Sequence, residues 1–308
     1  MKIVIALGGN SILKKGERQS YSTLIKNIKS TCRNLVPIIM NNKVVISHGN
    51  GPEIGYLAIQ NEIASVKVPK MPLDVLGAES QALIGYLLEE QLNNQLRENK
   101  IKRLVATLVT QVLVNKKDKA FRNPTKPIGP FYTKKESEKL KKRGYIIIND
   151  AGRGYRRVVA SPKPVKIIEK DIIKKLVEKN IIVIACGGGG IPVVTAGGKL
   201  KGIEGVIDKD LASSCLGKSI KADVLLILTG VPYAYLNYGK KNQKIIKKMN
   251  VKEARKYLND GHFGVGSMKP KIEAGIDFLL HGGKRVIITE PRFCADALRG
   301  KKGTLIIR

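Results

Sequence analysis

The stretch IIVIACGGGGIPVVTAGGKLKGIEGVIDKDLASSCL, residues 181–216, decides the fold. Its first five residues are apolar, which favours a strand buried on both faces. Glycines occupy positions 187–190 directly afterwards. Four consecutive glycines offer little packing, but they let backbone N–H groups come close to a ligand. A buried strand that runs into such a turn indicates a phosphate site.

A helix is predicted to begin near the end of this stretch. Lys209 follows Asp208, and the sequence LASSCL after Asp210 is typical of a helix start. Lys209 therefore belongs to a first helical turn, where the helix dipole already carries partial positive charge. A lysine there works against helix stability unless an anion is bound. We expect Lys209 to meet phosphate, with Asp208 and Asp210 holding the lysine or a metal ion.

Composition limits the class of protein. The chain has 308 residues and is 43% hydrophobic, enough for one large α/β domain or two smaller ones. The net charge of +31 fits either a lysine-rich solvated surface or a nucleic-acid-binding surface. The solvated surface is favoured, because the lysines are spread along the chain and Trp is absent. The cysteines and histidines are scattered, which argues against a zinc site or a disulfide framework. Without a signal peptide or a membrane-spanning stretch, we expect a cytoplasmic protein.

Glycine turns also follow the first two predicted strands. Residues 2–7 form an apolar strand that ends in GGNS, and residues 43–47 form a strand that ends in HGNGPEIG. Pro52 lies where a helix would begin, a position that proline favours. The spacing GxGxxxG differs from the dinucleotide fingerprint GxGxxG, so this motif alone is a weak signal.

The remaining pattern predicts alternating strands and helices. Helices are expected over 22–41, 80–98 (after a turn-rich bridge at 69–74), 169–179 and 252–258, and a further one begins near Pro270 with Lys269 and Lys271 in its first turn. Strands are expected over 103–109, 224–229, 285–289 and 304–307. About eight strands that alternate with helices predict a mainly parallel sheet with helices on both faces.

Residues 115–166 interrupt this alternation. The segment NPTKPIGPF, residues 123–131, is too rich in proline for a helix or a central strand. Two interpretations are equally open: a basic surface loop, or a lid that brings Lys126, Arg153, Arg156 or Arg157 to phosphates.

Glycine turns after strands and lysines at helix starts are the parts that phosphoryl transfer needs, since its transition state spreads negative charge over oxygens. A Walker A motif is absent: the sequence GKS at 217–219 resembles its end, but Ala212 stands where the first glycine is required. Protein-kinase signatures are absent too.

The motifs together closely resemble the carbamate kinases, of the amino acid kinase fold family. The resemblance runs from Val4 to Thr304. It is carried by IALGGN, SHGNGP, MPLD, NPTKPIGPF, DAGRG, SPKP, CGGGGIPV, VIDKDLAS, NYGK and GHF..GSM.PK.EA, in this order. It implies reversible phosphoryl transfer between ATP and carbamate with Mg²⁺. It also implies a three-layer αβα fold in a single domain, residues 1–308, a small protruding subdomain made from residues 115–166, and a homodimer.

The resemblance also implies roles for particular residues. Lys126, Lys209 and Lys271 would contact the transferring phosphoryl group, and Asp210 would orient the lysines; no protein ligand for the metal is assigned. The carbamoyl side would be lined by Gly8, Gly9, Asn10, Gly49, Asn50 and Gly51. The nucleotide side would be lined by Gly187, Gly188, Gly189, Gly190, Thr229, Tyr233, Tyr238, Met268 and Lys271.

The chain departs from the usual pattern at several positions, among them Glu53, where Gln is usual, and Glu79, where Met is usual. None of these departures removes a catalytic candidate. The alternatives are another small-molecule kinase of this fold, such as an acetylglutamate or uridylate kinase, and a basic nucleic-acid-binding protein. The direction of the reaction in the cell stays open.

Overall fold

Strands and helices alternate along most of the chain. The structure, a computed structural model, describes residues 1–9, 12, 17, 20–150, 154–264 and 266–308. The strands of these residues are β1 (Lys2–Leu7), β2 (Lys43–His48), β3 (Val105–Thr107), β4 (Gln111–Val114), β5 (Lys126–Tyr132), β6 (Ile147–Asn149), β7 (Tyr155–Val159), β8 (Pro164–Ile167), β9 (Ile182–Ile184), β10 (Ile191–Ala196), β11 (Lys199–Gly202), β12 (Val224–Leu228), β13 (Ala234–Leu236), β14 (Lys244–Ile246), β15 (Lys248–Asn250), β16 (Arg285–Thr289) and β17 (Thr304–Ile307). Their helices are α1 (Tyr21–Asn41), α2 (Gly51–Ala64), α3 (Leu73–Glu98), α4 (Lys134–Lys142), α5 (Lys170–Glu178), α6 (Lys209–Ser219), α7 (Val251–Asn259), α8 (Lys269–Leu280) and α9 (Cys294–Leu298).

A central sheet organises the molecule. Within the described ranges it has eight strands, in the spatial order β15-β17-β16-β12-β1-β2-β9-β3. Every neighbouring pair is parallel except β16 and β17. The strand order reverses beside β1, and open α/β sheets bind ligands beyond the carboxyl ends of strands at such a point. The predicted mainly parallel sheet of about eight strands is confirmed.

Both faces of this sheet are covered by helices. Ile3, Ile5 and Leu7 of β1 pack into a core that also contains buried residues of α1, α3 and α9. Val4 and Ala6 of the same strand point the other way, into a core shared with α5, α6 and α8. Because alternate residues of one strand enter two different cores, the strand is apolar throughout. The three-layer αβα fold is therefore confirmed.

A smaller antiparallel sheet, in the order β5-β7-β6, lies within residues 115–166. Ile128 and Val159 of this sheet share a separate apolar cluster with Ile54 of α2 and Leu76 of α3. The backbones of α2 and β5 also meet closely, since a Cβ on Gly55 would lie 2.0 Å from the Cα of Gly129. The proline-rich segment thus contributes an edge strand, where proline is tolerated.

Some boundaries and elements differ from the sequence prediction. The helix expected at residue 80 begins at Leu73, because Pro72 serves as its N-cap and the buried Leu73 and Leu76 extend its apolar face. The predicted bridge at 69–74 therefore ends earlier. The sequence analysis also missed α4, α9, β15 and the four-stranded sheet β11-β10-β4-β8. No helix within the described ranges has the length and apolar character needed to cross a bilayer.

Candidate active site

A cavity of about 770 Å³ opens beyond the carboxyl ends of the central strands. Residues that directly follow β1, β2 and β12 line it, and so do the first turns of α2, α6 and α8. Parallel strands bring these turns to one edge of the sheet, so residues far apart in sequence face one space. The cavity lies where the glycine turns predicted it.

Two lysines from different helices share one carboxylate inside this cavity. Lys209 and Asp210 open α6, and Lys271 lies in the first turn of α8. The ammonium group of Lys209 binds Oδ1 of Asp210, and that of Lys271 donates to Oδ2 at 2.9 Å. Lys209 and Asp210 are only 8% and 2% exposed. The structure brings together three of the four predicted catalytic residues.

The protonation of this group follows from burial and mutual charge. Burial alone would raise the pKa of Asp210, but the charges of Lys209 and Lys271 hold it well below its usual range. Burial lowers the pKa of Lys209, and the charge of Lys271 adds to this effect. For Lys271, the attraction of Asp210 outweighs burial and raises the pKa. The two neighbouring lysines thus favour the ionised form of Asp210.

Lys126 reaches the cavity from the small sheet. Its ammonium group donates to Oδ2 of Asp208 at 2.6 Å. The other oxygen of Asp208 accepts the backbone N–H of Asp210 at 2.9 Å, and so caps α6. Asp208 thus joins the fourth predicted catalytic residue to the helix that carries Lys209 and Asp210. Asp210 binds Lys209 as expected, whereas Asp208 binds Lys126 instead of Lys209.

The four-glycine turn is packed more tightly than predicted. Of its glycines only Gly188 lines the cavity; Gly187, Gly189 and Gly190 do not. A Cβ added at residue 187, 188, 189 or 190 would collide with His48, Asn50, Ile207 or Val112, respectively, at a distance of 2.4 Å or less. The N–H groups of Gly189 and Gly190 bond within the turn, to Cys186 and Gly187. The expectation of little packing was wrong, because the turn passes close to three other segments: β2 with the residues that follow it, β4, and the residues before α6.

The glycine turns after β1 and β2 lie where the carbamoyl side was predicted. Gly8, Gly9, Gly49, Asn50 and Gly51 all line the cavity. The N–H of Gly49 bonds to the carbonyl of Leu7 at 3.1 Å, which ties the two turns together. Asn10 lies outside the described residues.

Five of the nine residues predicted for the nucleotide side also line the cavity. Thr229, Tyr238 and Met268 line it, whereas Tyr233 does not. Further lining residues that the sequence pattern did not single out are Tyr235, Asn237, His262 and Phe263. Two of these residues could have been found from the sequence, because Asn237 opens the motif NYGK and His262 lies in the motif GHF. Nδ1 of His262 and Oδ1 of Asn237 are 2.9 Å apart, which joins the two motifs.

Arg156 and Glu53 also line the cavity. Arg156, one of the predicted lid cations, lines it and donates to the carbonyl of Gly129 at 2.8 Å. Arg157 instead lies over the ring of Tyr145, and Arg153 is outside the described residues. Glu53 is 5% exposed, and burial raises its pKa to about 7. Glu53 stands out as a candidate site residue only because it is buried, and the sequence pattern did not predict that burial.

A sequence model of the Amino acid kinase family matches residues 1–290. The chain belongs to the amino acid kinase family. A carbamate kinase from Clostridium perfringens is 47% identical to it, with 100% of both chains covered. One from Pyrococcus horikoshii is 45% identical, covering 99% of this chain and 98% of the relative. The solved carbamate kinase of Giardia lamblia bound to AMP-PNP superposes with a TM-score of 0.91 at 43% identity, covering 99% of this chain and 98% of that one.

Proposed function

We propose that this protein is a carbamate kinase, which transfers a phosphoryl group reversibly between ATP and carbamate. The observation that carries the proposal is the pair of buried lysines, Lys209 and Lys271, held by Asp210 where the central strands end. The full-length likeness to carbamate kinases supports this substrate pair. In this assignment the glycine turns after β1 and β2 hold the carbamoyl group, and the side with Thr229, Tyr238 and Met268 holds the nucleotide.

The chemistry suits a site without a general base. A carbamate oxygen attacks the γ-phosphorus, and a new O–P bond forms while the bond from phosphorus to the β,γ-bridging oxygen breaks. ADP leaves with that electron pair. Carbamate is already an anion, so the enzyme must mainly cancel repulsion between two anions. Lys126, Lys209 and Lys271 supply positive charge, and Asp208 and Asp210 fix the ammonium positions.

Mg²⁺ would add positive charge between the nucleotide phosphates. Asp208 and Asp210 each already bind a lysine, and the described residues contain no cluster of three His, Cys, Asp or Glu side chains for a metal. This donor set fits an ion held mainly by phosphate oxygens and water. Asp208 is the carboxylate of the cavity that we assign to contact its water ligands.

We also propose that residues 115–166 form a protruding lid. Lys126 and Arg156 of this segment line the cavity, while Ile128 and Val159 anchor it to α2 and α3. Closure of this unit would bring Lys126 onto the phosphoryl group and exclude water.

A homodimer is the assembly that we propose. Exposed apolar side chains follow one another along α3, including Leu83 and Tyr86, and an apolar surface of this kind favours a partner. Light scattering of the purified protein measures its mass directly; a monomeric mass across micromolar concentrations contradicts the dimer.

The decisive experiment follows ATP formed from ADP and carbamoyl phosphate. We expect turnover that requires Mg²⁺ and that falls sharply in Lys209→Ala. In the forward direction, carbamate should accept phosphate, whereas acetylglutamate, glutamate and UMP should not. Turnover with one of these acceptors but not with carbamate would assign the protein to another kinase of the same fold.

A further inference from the structure

The amide group of Asn50 has a fixed orientation in the cavity. Asn50 is the N-cap residue of α2, yet its side chain makes no capping hydrogen bond. Its Nδ2 instead donates to Oγ of Ser80 at 2.7 Å. The hydroxyl of Ser80 donates its own hydrogen to the carbonyl of Gly77 at 2.7 Å, so it can only accept from Asn50. This assigns the amide nitrogen to Ser80 and leaves Oδ1 of Asn50 as a hydrogen-bond acceptor.

Glu53 provides a second acceptor beside Asn50. It lies three residues later, in the first turn of α2, where positions i and i+3 are neighbours. Both residues line the cavity. The other two carboxylates of the cavity are occupied, since Asp208 binds Lys126 and Asp210 binds two lysines. Within the described part of the chain, Glu53 makes no ion pair or hydrogen bond with another side chain.

The carbamoyl group differs from related acyl groups in its NH₂, which can donate hydrogen bonds to the side-chain oxygens of Asn50 and Glu53. Its NH₂ has two hydrogens to donate, whereas the methyl group of acetyl phosphate has none. We propose that Asn50 and Glu53 bind the amino group of carbamate, and that Ser80 is a positioning residue that turns the amide of Asn50 toward it. This inference rests on the proposed carbamate kinase activity and names the residues that select its acceptor.

Glu53 performs this role in its neutral form. Burial raises its pKa to about 7, and an anionic substrate beside it opposes ionisation further. A neutral carboxyl accepts an N–H bond through its carbonyl oxygen without repelling carbamate. Above pH 7 the ionised form repels the substrate, so the KM for carbamoyl phosphate rises.

Other titratable and charged groups lie around Glu53. Tyr56 lies on the same helix, and its pKa is raised by burial and then by the charge of Glu53. The pKa of Glu53 is governed mainly by burial, which the hydrogen bond from its own backbone N–H opposes. Among the described residues, the cations that line the same cavity are Lys126, Arg156, Lys209, Lys240 and Lys271, and its other carboxylates are Asp208 and Asp210. All are present in both the wild type and a Glu53 variant, so comparison of the two isolates Glu53.

The test compares carbamoyl phosphate with acetyl phosphate as phosphoryl donor to ADP. We expect the wild type to prefer carbamoyl phosphate by roughly 10⁴-fold in kcat/KM, the scale for a site whose polar groups the analogue leaves unpaired. Glu53→Leu should reduce this preference about 10-fold, mainly through KM. Glu53→Gln should keep the preference and abolish the rise in KM above pH 7. The matched control is Glu79→Gln, which alters a carboxylate on α3 outside the cavity.

Ser80 gives an independent measurement. Ser80→Ala frees the amide of Asn50 to rotate and should also lower the preference, whereas Ser80→Thr keeps the hydroxyl and should restore it. If Glu53→Leu fails to fold, the pH profile of Glu53→Gln and the Ser80 pair decide. A wild-type enzyme that makes no ATP from carbamoyl phosphate overturns the proposed function. An active enzyme whose preference and pH profile survive the Glu53 and Ser80 changes overturns this inference alone.

Discussion

Lys209 and Lys271 begin different helices but bind the two oxygens of one carboxylate, that of Asp210. Each lysine lies in a first helical turn, where the dipole already disfavours a cation. Asp210 offsets one of these two positive charges. The remaining charge is available to an anionic ligand, so the pair is arranged for phosphate before any ligand arrives.

Removal of either ammonium group should slow catalysis. We expect Lys209→Ala and Lys271→Ala each to lower kcat by roughly 10²–10³-fold, the scale for loss of one transition-state contact. The control is Lys269→Ala. Lys269 lies in the first turn of α8, as Lys271 does, but it does not line the cavity. Steady-state kinetics of ATP formation measures all three; near-normal kcat in both cavity variants contradicts their assigned role.

Asp210→Asn should destabilise the protein because it removes the carboxylate that both buried ammonium groups bind. We expect the free energy of unfolding to fall by about 3–5 kcal/mol, the scale for breaking a buried ion pair. Asp223→Asn, which breaks a surface pair with Lys284, should change it by less than about 1 kcal/mol. Urea titrations compare the two. Added ATP should narrow the deficit of the Asp210→Asn variant, since its phosphates replace the lost charge, and an unchanged deficit would argue against phosphate binding at this point.

Glu53→Gln should stabilise the protein in a pH-dependent way. The carboxyl has a pKa of about 7 when folded and 4.5 in its reference state, so the unfolded chain ionises first as the pH rises. Wild-type stability is therefore lost between these two values. Because each pKa unit is worth about 1.4 kcal/mol, the variant should gain roughly 3 kcal/mol above pH 7 and almost nothing below pH 4.5. Unfolding curves at about pH 4.5 and about pH 8 test this; an equal gain at both values contradicts the burial of an ionisable Glu53.

Gly189→Ala should be far more harmful than Gly197→Ala. Both glycines have positive φ, so alanine is strained at either place by about 1–2 kcal/mol. A Cβ at residue 189 would lie 2.2 Å from the carbonyl oxygen of Ile207, whereas one at residue 197 meets nothing within 4 Å. Crowding should add about 1–3 kcal/mol at the first site only. Thermal unfolding of both variants gives the comparison, and equal losses would show that the turn tolerates a side chain.

The native protein should be inert to thiol reagents. Cys32, Cys186, Cys215 and Cys294 are buried, and burial raises the pKa of each thiol. Thiolates are the reactive form, so very little is available at neutral pH. A colorimetric thiol assay should find almost no reactive groups in the folded protein and all four in denaturant. Rapid labelling without denaturant would reveal an opening of the core.

The sequence predicted the sheet, its layers and the lysines at the starts of α6 and α8, because glycine turns, apolar strands and helix starts are local patterns. The meeting of Lys209 and Lys271 at Asp210 was not predictable from spacing alone, since it depends on how α6 packs beside α8. Glu53 was missed for the same reason: its environment is made by segments distant in the chain. The tight contacts of the four-glycine turn arise likewise from β2, β4 and the segment before α6.

The two sides of the cavity come from opposite ends of the polypeptide. The turns after β1 and β2, with the start of α2, lie early in the sequence, whereas the side assigned to the nucleotide follows β12 and ends at α8. During ribosomal synthesis, Gly8, Asn50 and Glu53 therefore emerge well before the residues that complete the cavity. The bond between Lys271 and Asp210 can form only after most of the polypeptide has been made.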